Sequence, residues 1–240
     1  MIVEIHIESS KINEAVSSFG TLPSQLRPER FSDGEDANSA KGKVSDVVKY
    51  EQFVAKNGSG FFLFAERVRY NVVRRPGEAF SKIEADPQND GLTERDVIEL
   101  FQAVADAGLV FGFAACPEEY EHRNRYVRKL QGMTFEAWMG RDLNCYLPGV
   151  YWLTVLSERY GECLPEPATA LSDITRVTRL GAKHWIIRAF ENAGDWKQHA
   201  PRLDLWCAKR SILFSKDRIQ SQLDAAADIA TLSQLVSNWR

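Results

Sequence analysis

Six carboxylates crowd one stretch of the chain: Glu84, Asp86, Asp90, Glu94, Asp96 and Glu99, with Arg95 the one cation among them. Acids at this density can do three things. They solvate a loop and favour the positive end of a following helix. They present a negative surface to a basic partner and raise its association rate. Or they hold a hard cation. The spacing is not that of a calcium-binding loop, so the metal reading ranks last, and the sequence asks for no metal and no cofactor. The first reading is a solvated loop followed by a helix start. The functional reading is a contact surface for a basic protein, used as acidic nuclease inhibitors use theirs, to compete for a site built to hold phosphate.

Other reactive side chains are dispersed. The histidines are His6, His122, His184 and His199. His199 lies one helical turn from Asp195, and a nucleophilic dyad of Cys207 with His199 is conceivable, but nothing in the sequence brings the two together. Cys116, Cys145, Cys163 and Cys207 include no C-x-x-C pair. No histidine stands at ligand spacing from any of them, so they read as packed, unpaired thiols. There is no G-x-S-x-G elbow, P-loop, strand-borne G-x-G-x-x-G or H-E-x-x-H, the motifs that would announce a hydrolase, nucleotide site or zinc protease. The cations Arg67, Arg69, Arg74, Arg75 and those from Arg123 to Lys129 lack the interleaved aromatics of a single-strand binder. A net charge of −3 provides no basic field toward nucleic acid or anionic membrane. The expectation is a binding protein rather than an enzyme.

The elements that position these residues are read from periodicity. Residues 1–8 alternate like a half-buried strand, with Glu4, His6 and Glu8 on the polar face. Ile12, Ala15, Val16 and Phe19 share a helix face that Gly20 ends. Residues 27–60 read as a surface loop region, poor in large apolar groups up to residue 43. Asn57-Gly58-Ser59-Gly60 is a turn that opens a β-prone run from Phe61 to Val73. A strand is expected around Ala79 to Ile83, then a loop from Asp86 to Gly91. Thr93 with Asp96 resembles a capping box. It precedes a stripe of Val97, Leu100, Phe101, Val104 and Ala105, which Gly108 ends. Leu109 to Ala115 reads as a central strand. Pro117 starts a second helix, its acids Glu118, Glu119 and Glu121 at the front and its cations running to Lys129. Glu119–Arg123 and Glu121–Arg125 are i,i+4 surface pairs on that helix. Further on, a loop is expected at Pro165-Glu166-Pro167. A hairpin follows across Gly181-Ala182, then a stretch from Trp196 to Phe214 in which Pro201 breaks any continuous helix, and helical spacing from 216 to 239. Strands and helices mix without strict alternation. The class is therefore α+β, a mainly antiparallel sheet with helices packed on one face.

With 240 residues and 44% apolar composition the chain is long enough to bury a large core, and 1–240 reads as one domain. The N-terminus lacks the basic start and apolar run of a signal peptide, and no apolar stretch approaches the ~20 residues of a membrane span. A cytoplasmic protein with no membrane partner is expected.

The segment Trp138-Met139-Gly140, then Tyr146-Leu147-Pro148-Gly149-Val150-Tyr151-Trp152, packs aromatics around a Pro-Gly corner and continues to Leu156 as a buried strand. Trp138, Gly140, Tyr146, Pro148, Gly149, Tyr151 and Trp152 read as structural core. At these motifs the chain resembles bacterial toxin-immunity proteins, in particular the immunity protein 52 family of polymorphic-toxin and type VI secretion systems. The similarity covers roughly residues 60–190 and includes the Trp-x-Gly motif. The family's Tyr-x-x-x-Cys element is met only with Cys163 one position early after Tyr160. The resemblance implies a protein that binds and neutralises a cognate secreted toxin, one acting in the cytoplasm, such as a nuclease. The acidic residues 84–99 would then be the contact surface. Two alternatives stand beside it: a hydrolase or transferase with a dispersed active site, and a structural subunit of a secretion or phage-like assembly.

Overall fold

A computed structural model describes residues 1–75, 77–88, 91–140, 142–163 and 176–239. The first half runs β1 (Ile2–Glu8), α1 (Ile12–Ser18), β2 (Arg30–Ser32), β3 (Gly42–Lys43), α2 (Val47–Lys56), β4 (Gly60–Phe64), β5 (Val68–Val73), β6 (Phe80–Pro87), α3 (Glu94–Ala105) and β7 (Leu109–Ala115). The second runs α4 (Pro117–Asn124), β8 (Arg125–Leu130), β9 (Met133–Trp138), β10 (Leu153–Ser157), β11 (Arg176–Leu180), β12 (His184–Arg188), α5 (Trp196–Ala208), α6 (Lys216–Ala225) and α7 (Ile229–Ser237). The class is α+β, as the sequence predicts. Ten strands form a mainly antiparallel sheet in the order β11-β12-β10-β7-β1-β6-β5-β4-β2-β3, and β8-β9 is a separate hairpin. The chain groups into two compact units. One holds residues 1–114, 155–159 and 178–186; the other holds the described residues of 115–154, 160–177 and 187–240.

In the first unit, Val3, Ile5 and Ile7 of β1 are buried as expected, but so are Glu4 and His6. The polar face of this strand is therefore covered too, a departure from the half-buried reading. Helix α3 starts at the predicted capping box: the Thr93 side chain accepts from Asp96 N–H, and Asp96 reciprocates. Its Phe101 reaches β7 at Gly112, where a Cβ would stand 2.7 Å from the ring. β4 and β5 pair antiparallel with Phe61 opposite Val72 and Leu63 opposite Tyr70. Strand β6 continues to Pro87, beyond the expected end, because Asp86 pairs in register with Arg69 of β5. The region read as surface loop holds β2, β3 and α2. Strands of three and two residues are too short to show alternation, whereas α2 carries Val47, Tyr50, Phe53 and Val54 at helical spacing, and Tyr50 and Phe53 meet Phe31 of β2.

In the second unit, the helix expected to reach Lys129 stops at Asn124, and Arg125–Leu130 is strand β8. Tyr126 and Val127 favour the pleated conformation. Gln131 and Gly132, both with positive φ (52° and 79°), supply the two-residue turn that a tight hairpin requires. Trp138 ends β9, the rest of the aromatic segment forms no strand up to Trp152, and Leu153–Ser157 is strand again. Pro148 brings no N–H to a ladder, and Gly149 has φ 140°. Helix α5 runs unbroken through Pro201, which removes one backbone hydrogen bond without ending the helix. The spacing read over 216–239 divides into α6 and α7, separated where Asp228 caps α7 by accepting from Thr231 N–H. Tyr126, Met139, Tyr146, Phe214, Leu223 and Leu232 lie in the core cluster these elements share. The expected hairpin at Gly181 is present as β11 and β12. The loop at Pro165-Glu166-Pro167 lies outside the described residues.

Candidate functional site

A cluster of titratable side chains in the second unit is centred on two buried ones, Glu119 and Arg123. Helix α4 turns Glu119 and Arg123 inward, at 0% and 6% exposure, where the sequence reads a solvated pair. Arg123 donates from Nε and Nη2 to Glu119 Oε1, 3.2 Å each. Its Nη1 donates to Asp204 of α5, and His122 Nε2 lies 2.8 Å from the other Asp204 oxygen. The backbone N–H of Trp152 donates to Glu119 Oε2 at 3.3 Å. One residue on, Asn124 Nδ2 donates to the carbonyls of Met139 (3.0 Å) and Pro148 (3.3 Å). The Tyr151 hydroxyl donates to Asn124 Oδ1 at 2.6 Å.

The two acids respond to this setting in opposite ways. Burial pushes the Glu119 carboxyl up to about 7, against the pull of Arg123 and of the Trp152 N–H. Burial also works against ionised Asp204, but the hydrogen bond to His122 and the Arg123 charge outweigh it and hold that carboxyl below its ordinary range. Burial raises the Cys207 thiol. Beside the network lies a cavity of about 20 Å³ lined in part by His122, Arg123, Asp204, Cys207 and Lys216, room for a single water. Chemically the arrangement can hold charge and lock the aromatic segment to α4. It cannot enclose a substrate.

The aromatic residues read as core are placed accordingly. Tyr146, Pro148, Gly149, Tyr151 and Trp152 are buried, and Trp138 is half-buried, stacked on Tyr120 with ring centroids 5.0 Å apart. Gly140 has φ 78°, and a Cβ there would collide with the Phe214 ring. Sequence reasoning missed Asp204, Asn124 and the inward turn of Glu119 and Arg123. A signal existed for Asp204, an acid set among Leu203, Leu205, Trp206 and Cys207. The Cys207–His199 dyad does not form. The two lie eight residues apart on α5, roughly 12 Å along the axis, and His199 stacks on Phe190 instead.

The acids of 84–99 belong to the first unit and are spread over two elements. On β6, Glu84 accepts from Asn71 (2.7 Å) and from Lys82 (2.5 Å), and Asp86 accepts from Arg69 (2.7 Å). On α3, Asp96 is buried, accepts from the Thr93 N–H in the capping box, and pairs with Arg67 at 3.1 Å. Glu99 pairs with Arg95 at 2.9 Å, and Glu94 stands in the first turn. Asp90 lies outside the described residues. The structure adds an acid that the sequence reading passed over: Glu35, from the connection between β2 and β3, lies 3.5 Å from the same Arg69 that Asp86 holds. Asp33, also on that connection, is half-exposed and faces Lys41 at 3.4 Å.

No protein-family model matches the chain, and no curated protein matches it. Among the described residues no helix is long and apolar enough to cross a membrane.

Proposed function

We propose that this protein binds and neutralises a cognate secreted bacterial toxin in the cytoplasm, as an immunity protein does. The observation that carries the reading is the convergence of Glu35 and Asp86 on Arg69. Two carboxylates from separate segments, with side chains 72% and 44% exposed, share one cation. Asp33 and Asp36 stand on the same connection, Asp33 against Lys41, and Arg30 and Lys43 lie in the same cross-strand row as Arg69 and Asp86, so exposed acids and cations alternate on this surface. The two exposed carboxylates suit basic side chains of a partner, because complementary charges speed encounter and disfavour wrong partners. The acidic contact surface thereby moves from 84–99 as a whole to Asp86 with the acids of 33–36.

The test is co-expression with the product of the neighbouring gene. The reading expects rescue from that product's toxicity and co-purification. It expects Glu35→Lys with Asp86→Lys to slow association, with a smaller wild-type rate and a smaller difference at high salt. A harmless neighbour, or an association rate unchanged by the double reversal, overturns it. An enzymatic reading has one observation in its favour, Glu119 pushed to about 7 beside His122 and Asp204. The one-water cavity there weighs against it.

A further inference from the structure

The hairpin β8–β9 is a sheet of two strands, and among the described residues no third strand joins either side of it. An unpaired strand edge is a template for another strand, and a two-stranded sheet gains from added strands. Three of the four sheet edges carry features that discourage such pairing. β3 is two residues long, β11 carries Arg176 and Arg179, and β8 carries Arg125, Arg128 and Lys129. The fourth, β9, reads Met-Thr-Phe-Glu-Ala-Trp, with Glu136 its one charge and no proline. Thr134 and Glu136 are exposed, as is Met133 at 56%, and Val127, the cross-strand neighbour of Glu136, is 48% exposed.

The ladder decides which backbone groups of β9 are free. Just beyond it, the Met139 N–H donates to the Asn124 carbonyl at 2.8 Å. Hydrogen-bonded and non-hydrogen-bonded pairs alternate in an antiparallel ladder. Tyr126–Ala137, Arg128–Phe135 and Leu130–Met133 are therefore the bonded pairs, and the N–H and C=O of Thr134 and Glu136 point away from β8. Lys129 stands directly across from Thr134 and forms no ion pair among the described residues.

We propose that the β9 edge pairs antiparallel with the β9 edge of a second copy of this chain, about a two-fold axis at Phe135. In this register Thr134 of each copy exchanges hydrogen bonds with Glu136 of the other, and Phe135 faces Phe135. The register centred on Glu136 would set like charges directly opposite and is disfavoured. Lys129 then lies in one cross-strand row with Glu136 of the second copy, α-carbons about 10 Å apart across Thr134, within reach of a lysine. β8 remains outermost on both sides. Its cations discourage further strands, so association closes at the dimer.

The test is sedimentation equilibrium of the full chain at rising concentration, which shows a reversible monomer–dimer equilibrium. Thr134→Pro removes an N–H that points away from β8 and abolishes the dimer. Glu136→Lys sets a cation against Lys129 of the second copy and weakens the dimer about tenfold. Adding Lys129→Glu reverses the pair and restores part of that loss. A thermal melt of each variant reports that it is folded. A wild-type chain that stays monomeric up to about 1 mM overturns the proposal and leaves the edge to a strand of another protein. A dimer untouched by Thr134→Pro, or a loss in Glu136→Lys that Lys129→Glu does not reduce, overturns it as well.

Discussion

Glu119 and Arg123, one turn apart on α4, meet inside the protein, with two guanidinium nitrogens each 3.2 Å from one carboxylate oxygen. The same i,i+4 pair on a solvated helix contributes a few tenths of a kcal/mol. Buried, the pair is costly to break, because removing one partner leaves the other charged and uncompensated. Arg123→Met removes the cation between the two acids, leaving Glu119 with the Trp152 N–H and Asp204 with His122. It is expected to lower unfolding free energy by about 3–5 kcal/mol in urea denaturation. A loss below about 1 kcal/mol, the scale of a surface pair, would show the pair to be solvated.

The Glu119 carboxyl carries a pH dependence with a definite sign. Its folded value, about 7, lies above its ordinary 4.5, so the folded chain holds this proton more tightly than the unfolded chain does. Stability contributed by the protonated form is complete below about pH 4.5, falls as pH rises toward 7, and is gone above it; the span is roughly 3 kcal/mol. Asp204 is held low and acts in the opposite sense, losing stability only as pH falls below its ordinary 3.8. Urea midpoints collected from pH 5 to 8 should therefore decline, and Glu119→Gln should flatten that decline whatever its offset at pH 5. A wild-type profile that is flat or rising over this window is the contrary result.

What could be read from the residues divides along one line, between local signals and long-range packing. The α3 capping box, its apolar stripe, β7 and the Gly181 hairpin are specified by neighbours in sequence, and all are present. The end of α4 is not so specified: Glu118 to Lys129 has helical charge spacing throughout, and the Gln131-Gly132 turn decides that β8 begins at Arg125. Burial of Glu119 is likewise invisible locally, because Trp152, whose N–H it accepts from, and Asp204, which holds the other side of Arg123, lie far along the chain. The acidic surface was legible in part. Asp86 was visible in a dense run of acids, but its companion Glu35 joins it only through the pairing of β2, β4 and β5.

Gly140, in the Trp-x-Gly motif, is held by two separate constraints. Its φ of 78° is costly for any residue with a side chain, and its α-carbon faces the Phe214 ring at a distance no Cβ can share. Gly140→Ala should lower stability by about 2–4 kcal/mol, the sum of left-handed strain and overpacking. Phe214→Leu in the same chain should restore part of that loss if the clash contributes, since the two effects then couple. Strict additivity would assign the whole loss to the backbone.

Pro201 yields a prediction of the opposite sign. It is the sixth residue of α5, inside a helix that continues for seven more residues to Ala208, so the Lys197 carbonyl lacks its usual backbone donor. Alanine restores that donor and relieves the ring's clash with the preceding turn, worth up to about 3 kcal/mol in a helix interior. The greater freedom of the unfolded chain without proline offsets up to about 1 kcal/mol of this. Pro201→Ala is therefore expected to stabilise the protein by about 1–2 kcal/mol. Leu203, Trp206 and Cys207 keep the buried face of α5 in place in both chains. A lower melting temperature for this variant would mean that α5 is bent at Pro201 to fit its neighbours, and that straightening it disrupts the packing of that face.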